Sequence, residues 1–186
     1  SSGMVLFLQS EGRKQFAATF GAFSFIFSTK IFAHFAAGHL TMLYALMWTP
    51  WLFYFTKKAV GSKRLLLLFL PGVVFGLITT ADPRWSIPAG MVWVIFLFSQ
   101  ASPIKEKIKI LSLSATVALS TSAGIWLPLL QFVKLSSRAA LDSADRTIYS
   151  LNFSNLFGLI LPDSGGFAEW VIYPSAIVFL MVVYGV

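Results

Sequence analysis

The charged residues of this chain lie in short segments between long apolar runs, and that alternation limits what it can fold into. The apolar runs cover residues 4–9, 15–28, 40–55, 65–80, 87–99, 110–130 and 170–186. In lipid such a run must satisfy its own backbone donors and acceptors, which a helix does. Several runs fall short of the ~20 residues that cross a ~30 Å hydrocarbon core. Flanking residues such as Phe35–Gly38 extend them. Residues 87–99 are the run that a re-entrant segment would also explain. A soluble domain carries about 25% charged residues; here the share is 11%, against 57% hydrophobic. The expected fold class is all-α, a polytopic transmembrane helical bundle forming a single domain over residues 1–186. Ser1-Ser2-Gly3 and the apolar stop at Val186 suggest a piece truncated at both ends, and no signal peptide is recognised.

The distribution of Lys and Arg gives an expected orientation. With the turn at Arg13 inside and each run crossing once, the inner loops hold Arg13, Lys14, Lys57, Lys58, Lys63, Arg64, Lys105, Lys107 and Lys109. Lys30, Arg84, Lys134, Arg138 and Arg146 fall outside. Of the acids, only Glu11 and Glu106 fall inside. The net charge of +7 is thus a membrane-orientation signal and not a nucleic-acid surface. The segments 57–64 and 102–109 are expected to be cytoplasmic. Trp51, Trp85, Trp126 and Trp170 lie near run ends, as interfacial residues do.

The polar hairpin Ala81-Asp82-Pro83-Arg84-Trp85-Ser86 separates two strongly apolar runs. Asp82 precedes proline and is pushed towards extended backbone, so the preceding helix ends there. Pro88 is expected in the first turn of the next helix. The pair reads in two ways. Either Asp82 orients or deprotonates an acceptor while Arg84 holds a phosphate as a planar fork, or the hairpin is a polar turn that ends a helix. His34 and His39 fall in an expected loop, Thr29–His39. Five residues apart, they would not share a helical face, and no cysteine exists to complete a zinc site with them. A third group follows the 110–130 run: Ser136-Ser137-Arg138 with Asp142, Asp145 and Arg146. A fourth is Pro162-Asp163-Ser164-Gly165-Gly166 with Glu169-Trp170. The Walker pattern and GxGxxG are absent, as is a GxSxG elbow. The absence of cysteine removes disulfides and thiolate chemistry.

Several of these motifs occur in a particular order. Gly38-His39-Leu40 runs into Trp48-Thr49-Pro50. Asp82-Pro83-Arg84 follows, then Leu127-Pro128-Leu129-Leu130 with Ser136-Ser137-Arg138, then Leu161-Pro162-Asp163 with Glu169-Trp170 and Tyr173. In that order they resemble the bacterial multi-span proteins of the YfhO type and the 6-pyruvoyl-tetrahydropterin-synthase-related membrane proteins, which belong broadly with the GT-C glycosyltransferases. The resemblance covers most of residues 13–186. It implies a GT-C-like fold in a bacterial cytoplasmic membrane, and transfer of sugar from a polyprenyl-phosphate donor to a cell-envelope acceptor on the outer face. It also implies that the principal catalytic carboxylate sits in a first outer loop preceding Met4, with Asp82 as a second candidate. His39, Arg84, Arg138, Asp163 and Glu169 are the candidate substrate-binding residues, and His39, Arg84 and Arg138 are expected around one cavity that opens to the outer leaflet. A divalent metal would be optional and no residue set for one is assigned. The alternative on the same scaffold is a non-catalytic envelope assembly protein or a lipid or polymer transporter. Ion coupling would need ionisable residues inside the spans.

Overall fold

The computed structural model describes residues 2–136 and 153–159. Those residues are all-helical, without a strand among them. The elements are α1 (Ser2–Ser10), α2 (Gln15–Ile26), α3 (Thr29–Ala36), α4 (Leu40–Ala59), α5 (Leu65–Ala81), α6 (Pro83–Ser99), α7 (Ile104–Thr121), α8 (Ala123–Leu135) and a 3-10 helix at Phe153–Leu159. The expected run 170–186 lies outside the described residues. The chain forms two compact units: unit 1 is Ser1–Phe23 with Thr41–Pro128, and unit 2 is Ser24–Leu40 with Leu129–Val186.

Unit 1 is built on two parallel helix pairs, and each pair has its own packing chemistry. In the first, α4 presents Thr41, Ala45, Thr49, Leu52, Thr56 and Ala59 at helical spacing. This narrow stripe meets α6. Thr41 donates to Asp82 (3.1 Å), Trp85 Nε1 donates to Thr49 (3.0 Å) and Trp93 Nε1 donates to Thr56 (2.7 Å). Numbers rise together along both helices, so α4 and α6 run the same way. Threonine suits this role because its hydroxyl also bonds its own helix, as Thr49 does to Ala45 O and Thr56 to Leu52 O. The polar atoms therefore stay satisfied in an apolar interior.

The second pair is α5 with α7, and it uses close approach instead. A Cβ added at Gly72 would lie 2.6 Å from Ser114 O and 2.7 Å from its Cα. One at Gly76 would meet Thr121 and Ala118. Gly72 and Gly76 are four apart and face small residues, the arrangement that lets two helix backbones touch. The pairing of 72 with 114 and 76 with 118 makes these helices parallel too. Ala45, Leu52, Val74, Ile78, Ala89 and Trp93 form one buried cluster; Ala59, Leu68, Leu97 and Ile110 form another. Phe7 joins α1 to this core by ring contacts with Phe53 and Phe96 at 5.5 and 5.6 Å.

One end of unit 1 gathers basic loops. Lys57 Nζ lies 2.9 Å from Glu11 and donates to Gln100 Oε1 at 3.2 Å. Gly61 N donates to Glu106 at 2.7 Å, and Lys107 Nζ to Phe98 O at 2.7 Å. Thr41 and Asp82 lie at the other end. From Thr41 to Lys57, α4 rises about 24 Å at 1.5 Å per residue.

Among the described residues one helical stretch, Gln15–Ala36, is long and apolar enough to cross a membrane; α7 with α8, bent by 73°, makes a second if the two form one span. Uncovered apolar faces are more widespread. On α6, Ile87, Met91 and Ile95 recur every fourth residue and are 68%, 65% and 69% exposed. On α2, Phe16, Phe20 and Phe23 are exposed as well.

Several boundaries differ from the sequence expectation. Residues 29–36 form helix α3, not a loop, because Ile31 and His34 supply a buried face. Gly38 then ends it with φ 74°, a left-handed position that glycine adopts without a Cβ penalty. The run 87–99 begins earlier, at Pro83, since Asp82 caps α6; Pro83 takes the first helical position and Pro88 lies inside the helix. The run 110–130 is broken in two. α7 starts at Ile104, so most of the expected basic loop 102–109 is helical. It stops at Ser122, where hydroxyls of Ser120, Thr121 and Ser122 bond carbonyls at Thr116, Val117 and Ala118. Such back-bonding bends helices.

Candidate functional site: the Asp82–Arg84 hairpin

Asp82 joins two helices with one residue. Its backbone is extended (φ −150°, ψ 105°) and its N–H closes α5 on Ile78 O at 2.9 Å. Its Oδ1 then accepts the backbone N–H of Arg84 at 3.0 Å, capping α6. An aspartate is favoured at a helix N-terminus because it satisfies an otherwise orphaned N–H and complements the helix dipole.

The same carboxylate holds the Arg84 side chain as a two-pronged pair. Nε donates to Oδ1 at 3.0 Å and Nη2 to Oδ2 at 2.8 Å. Thr41 from α4 adds a third side-chain donor, to Oδ2. Asp82 is 2% exposed, while the Arg84 side chain is 67% exposed. The Arg84 guanidinium holds the Asp82 carboxyl below the usual carboxylate range, with burial opposing and the Arg84 N–H and Thr41 assisting. A carboxylate with this many donors is stabilised as the anion. Its contacts are those of a helix cap that orients a guanidinium. Arg84 has five N–H groups in a rigid fork, and Asp82 engages two of them through the side chain.

The other predicted residues divide as follows. His39 belongs to unit 2. There Gly38 N bonds Phe35 O at 3.0 Å and His39 N bonds His34 O at 2.9 Å. This glycine turn ends α3 and brings the two imidazoles together, Nδ1 to Nδ1 at 3.1 Å, with His34 fully buried. They do not share a helical face, since α3 ends before His39; the turn at Gly38 makes the contact. Arg138, Asp163 and Glu169 lie outside the described residues, as do Asp142, Asp145 and Arg146. Among the described residues no group of three or more His, Cys, Asp or Glu side chains could hold a metal ion.

Sequence reasoning missed Thr41 as the second anchor of Asp82. It also missed the Thr49–Trp85 bond that fixes the first turn of α6. The signal was present: Thr41, Thr49 and Thr56 lie on one stripe of α4, with Ala45 and Leu52 between them. Gly72 and Gly76 were likewise visible as a spaced glycine pair. No protein-family model, no curated protein and no solved structure matches this chain.

Proposed function

We propose that the chain is part of a polytopic, membrane-embedded helical bundle that holds a polyprenyl-phosphate-linked sugar at its Asp82 end. That end would face the outer side of a bacterial cytoplasmic membrane, and the sugar would pass to a cell-envelope acceptor. The observation that carries this reading is the Arg84 guanidinium, mostly exposed and held by a buried carboxylate between two apolar helices. The uncovered apolar faces of α2 and α6 support a lipid surround, since soluble monomers rarely expose such patches. The likeness to the YfhO-type proteins rests on the ordered motifs. In this reading Arg84 stabilises the departing lipid phosphate. Asp82 orients it, and the general base that activates the acceptor comes from elsewhere in the protein. A divalent metal would be an optional aid to the phosphate.

The engaged state of Asp82 specifically favours a second reading, a non-catalytic protein or transporter that binds the same lipid phosphate on the same scaffold. Binding and turnover of a polyprenyl-phosphate sugar separate the two. Arg84→Lys keeps the charge but loses the fork. A hydrogen bond to a charged group contributes about 1.5–3 kcal/mol, so donor binding should weaken roughly 10- to 150-fold. Asp82→Asn should lower binding mildly, by loosening Arg84, with the turnover of bound donor kept. A large loss of turnover with intact binding would instead make Asp82 the base. Binding without any turnover by the wild type supports the second reading. No binding of any polyprenyl-phosphate sugar overturns both.

A further inference from the structure

The turn between α3 and α4 brings two metal-ligating side chains into contact. His34 and His39 face each other Nδ1 to Nδ1 at 3.1 Å, with ring centroids 5.4 Å apart. The backbone fixes that approach. Ala37 N bonds Ala33 O at 3.0 Å, His39 N bonds His34 O at 2.9 Å, and Gly38 turns the chain with φ 74°. His34 is buried and His39 half-buried, while Ala36, Ala37 and Gly38 beside them are exposed. One ring is therefore held in the interior and the other borders the outside.

Two neutral imidazoles that meet in this way share one N–H, with one Nδ1 donating and the other accepting. The separation also suits a shared ion. Nitrogen ligands at about 2.0–2.1 Å from one metal lie about 2.9 Å apart at a right angle and about 3.4 Å apart at the tetrahedral angle. The observed 3.1 Å falls between these. For an ion to enter, the donor ring holds its proton on Nε2 instead of Nδ1 and stays neutral. The His39 ring then turns until both lone pairs meet beside the line between the nitrogens.

The ligand type selects the ion. Imidazole nitrogen suits copper, nickel and zinc, whereas magnesium and calcium take oxygen. No third His, Cys, Asp or Glu joins the pair among the described residues, so the remaining positions fall to water on the exposed side. Two nitrogens near a right angle with open positions suit a tetragonal ion, and copper(II) stands highest in the affinity order.

We propose that His34 and His39 form a two-nitrogen chelate for a divalent transition-metal ion, copper(II) before nickel or zinc, with its other positions open to water. The chelate lies in unit 2 and uses neither Asp82 nor Arg84.

The test uses the whole chain without a histidine tag, purified in detergent and stripped with a chelator. At about pH 7.5 an ordinary imidazole is neutral. Cu2+, Ni2+, Zn2+ and Mg2+ are titrated separately by calorimetry, and the imidazole nitrogens on copper are counted by pulsed electron paramagnetic resonance. One Cu2+ should bind per chain with two imidazoles, more tightly than Ni2+ or Zn2+, and Mg2+ should not bind. His39→Gln should leave at most one imidazole on copper. It should weaken Cu2+ binding by at least about 10-fold, the loss that removing even a partner outside the ligand shell causes. If His39→Gln does not fold, as read by circular dichroism, the nitrogen count in the wild type decides. Fewer than two imidazoles on copper in the wild type, or Cu2+ binding unchanged in folded His39→Gln, would overturn the proposal. So would Ni2+, Zn2+ or Mg2+ bound as tightly as Cu2+.

Discussion

At the Asp82 end of unit 1 a single carboxylate is buried and takes the donors of Arg84 and Thr41. At the other end, about 24 Å away along α4, the Lys57–Glu11 pair is one-third exposed and several cations have no acidic partner among the described residues. A buried charge has to be neutralised by its immediate neighbours, because few solvent dipoles reach it. An exposed surplus can be balanced by surroundings. The two ends therefore make opposite demands. The first depends on fixed geometry within the chain, and the second on counter-charge from outside it.

Removing one group at each end should expose that difference. The largest effect is expected for Asp82→Ala, which loses the α6 cap, the Thr41 bond and the anchor of Arg84 at once. Loss of an N-cap alone costs about 1 kcal/mol, and the charged hydrogen bonds contribute further. The expected destabilisation is roughly 2–4 kcal/mol, read by thermal unfolding in detergent with circular dichroism. Asp82→Asn should cost less, since asparagine caps nearly as well.

The pH dependence sharpens the same point. The carboxyl of Asp82 titrates below its ordinary value of 3.8. Its contribution is therefore complete above about 3.8 and is lost as pH falls through the lower, folded-state value. The difference in melting temperature between wild type and Asp82→Asn should be constant from neutral pH down to about pH 5 and should shrink only in acid below 3.8. A difference that already shrinks near pH 6 would show that the carboxyl is not held by Arg84.

Thr41→Val removes one donor while Asp82 keeps Arg84, so about 0.5–1.5 kcal/mol is expected. The smallest effect belongs to the other end. Glu11→Gln breaks the exposed pair with Lys57 and should cost under about 1 kcal/mol, less in high salt. If Glu11→Gln destabilised as much as Asp82→Ala, the contrast between the ends would be wrong.

Much of the first end was legible in the sequence. Asp82 before Pro83 marks a helix boundary, and an arginine two residues on is within reach of the carboxylate. Thr41 was harder, because its 41-residue separation from Asp82 leaves no local signal; only the Thr stripe of α4 hints at a partner helix. The His34–His39 contact was not legible from helical spacing, because it is made across Gly38, where a positive φ ends the helix. The break at Ser122 was missed for the opposite reason. Residues 110–130 carry no charged side chain, so hydrophobicity gave one long run, while the serine and threonine hydroxyls that interrupt it register weakly on that scale. Arg138, Asp163 and Glu169 lie outside the described residues.

Both ends can be examined together by single-cysteine labelling, since the chain has no cysteine of its own. Ser62→Cys reports on the basic end and Ser86→Cys on the hairpin. In intact cells a membrane-impermeant maleimide should modify the cysteine at position 86 and reach position 62 only after the membrane is opened. Labelling of both positions from the outside, or of position 62 alone, would contradict a bundle whose two ends face opposite sides of a membrane.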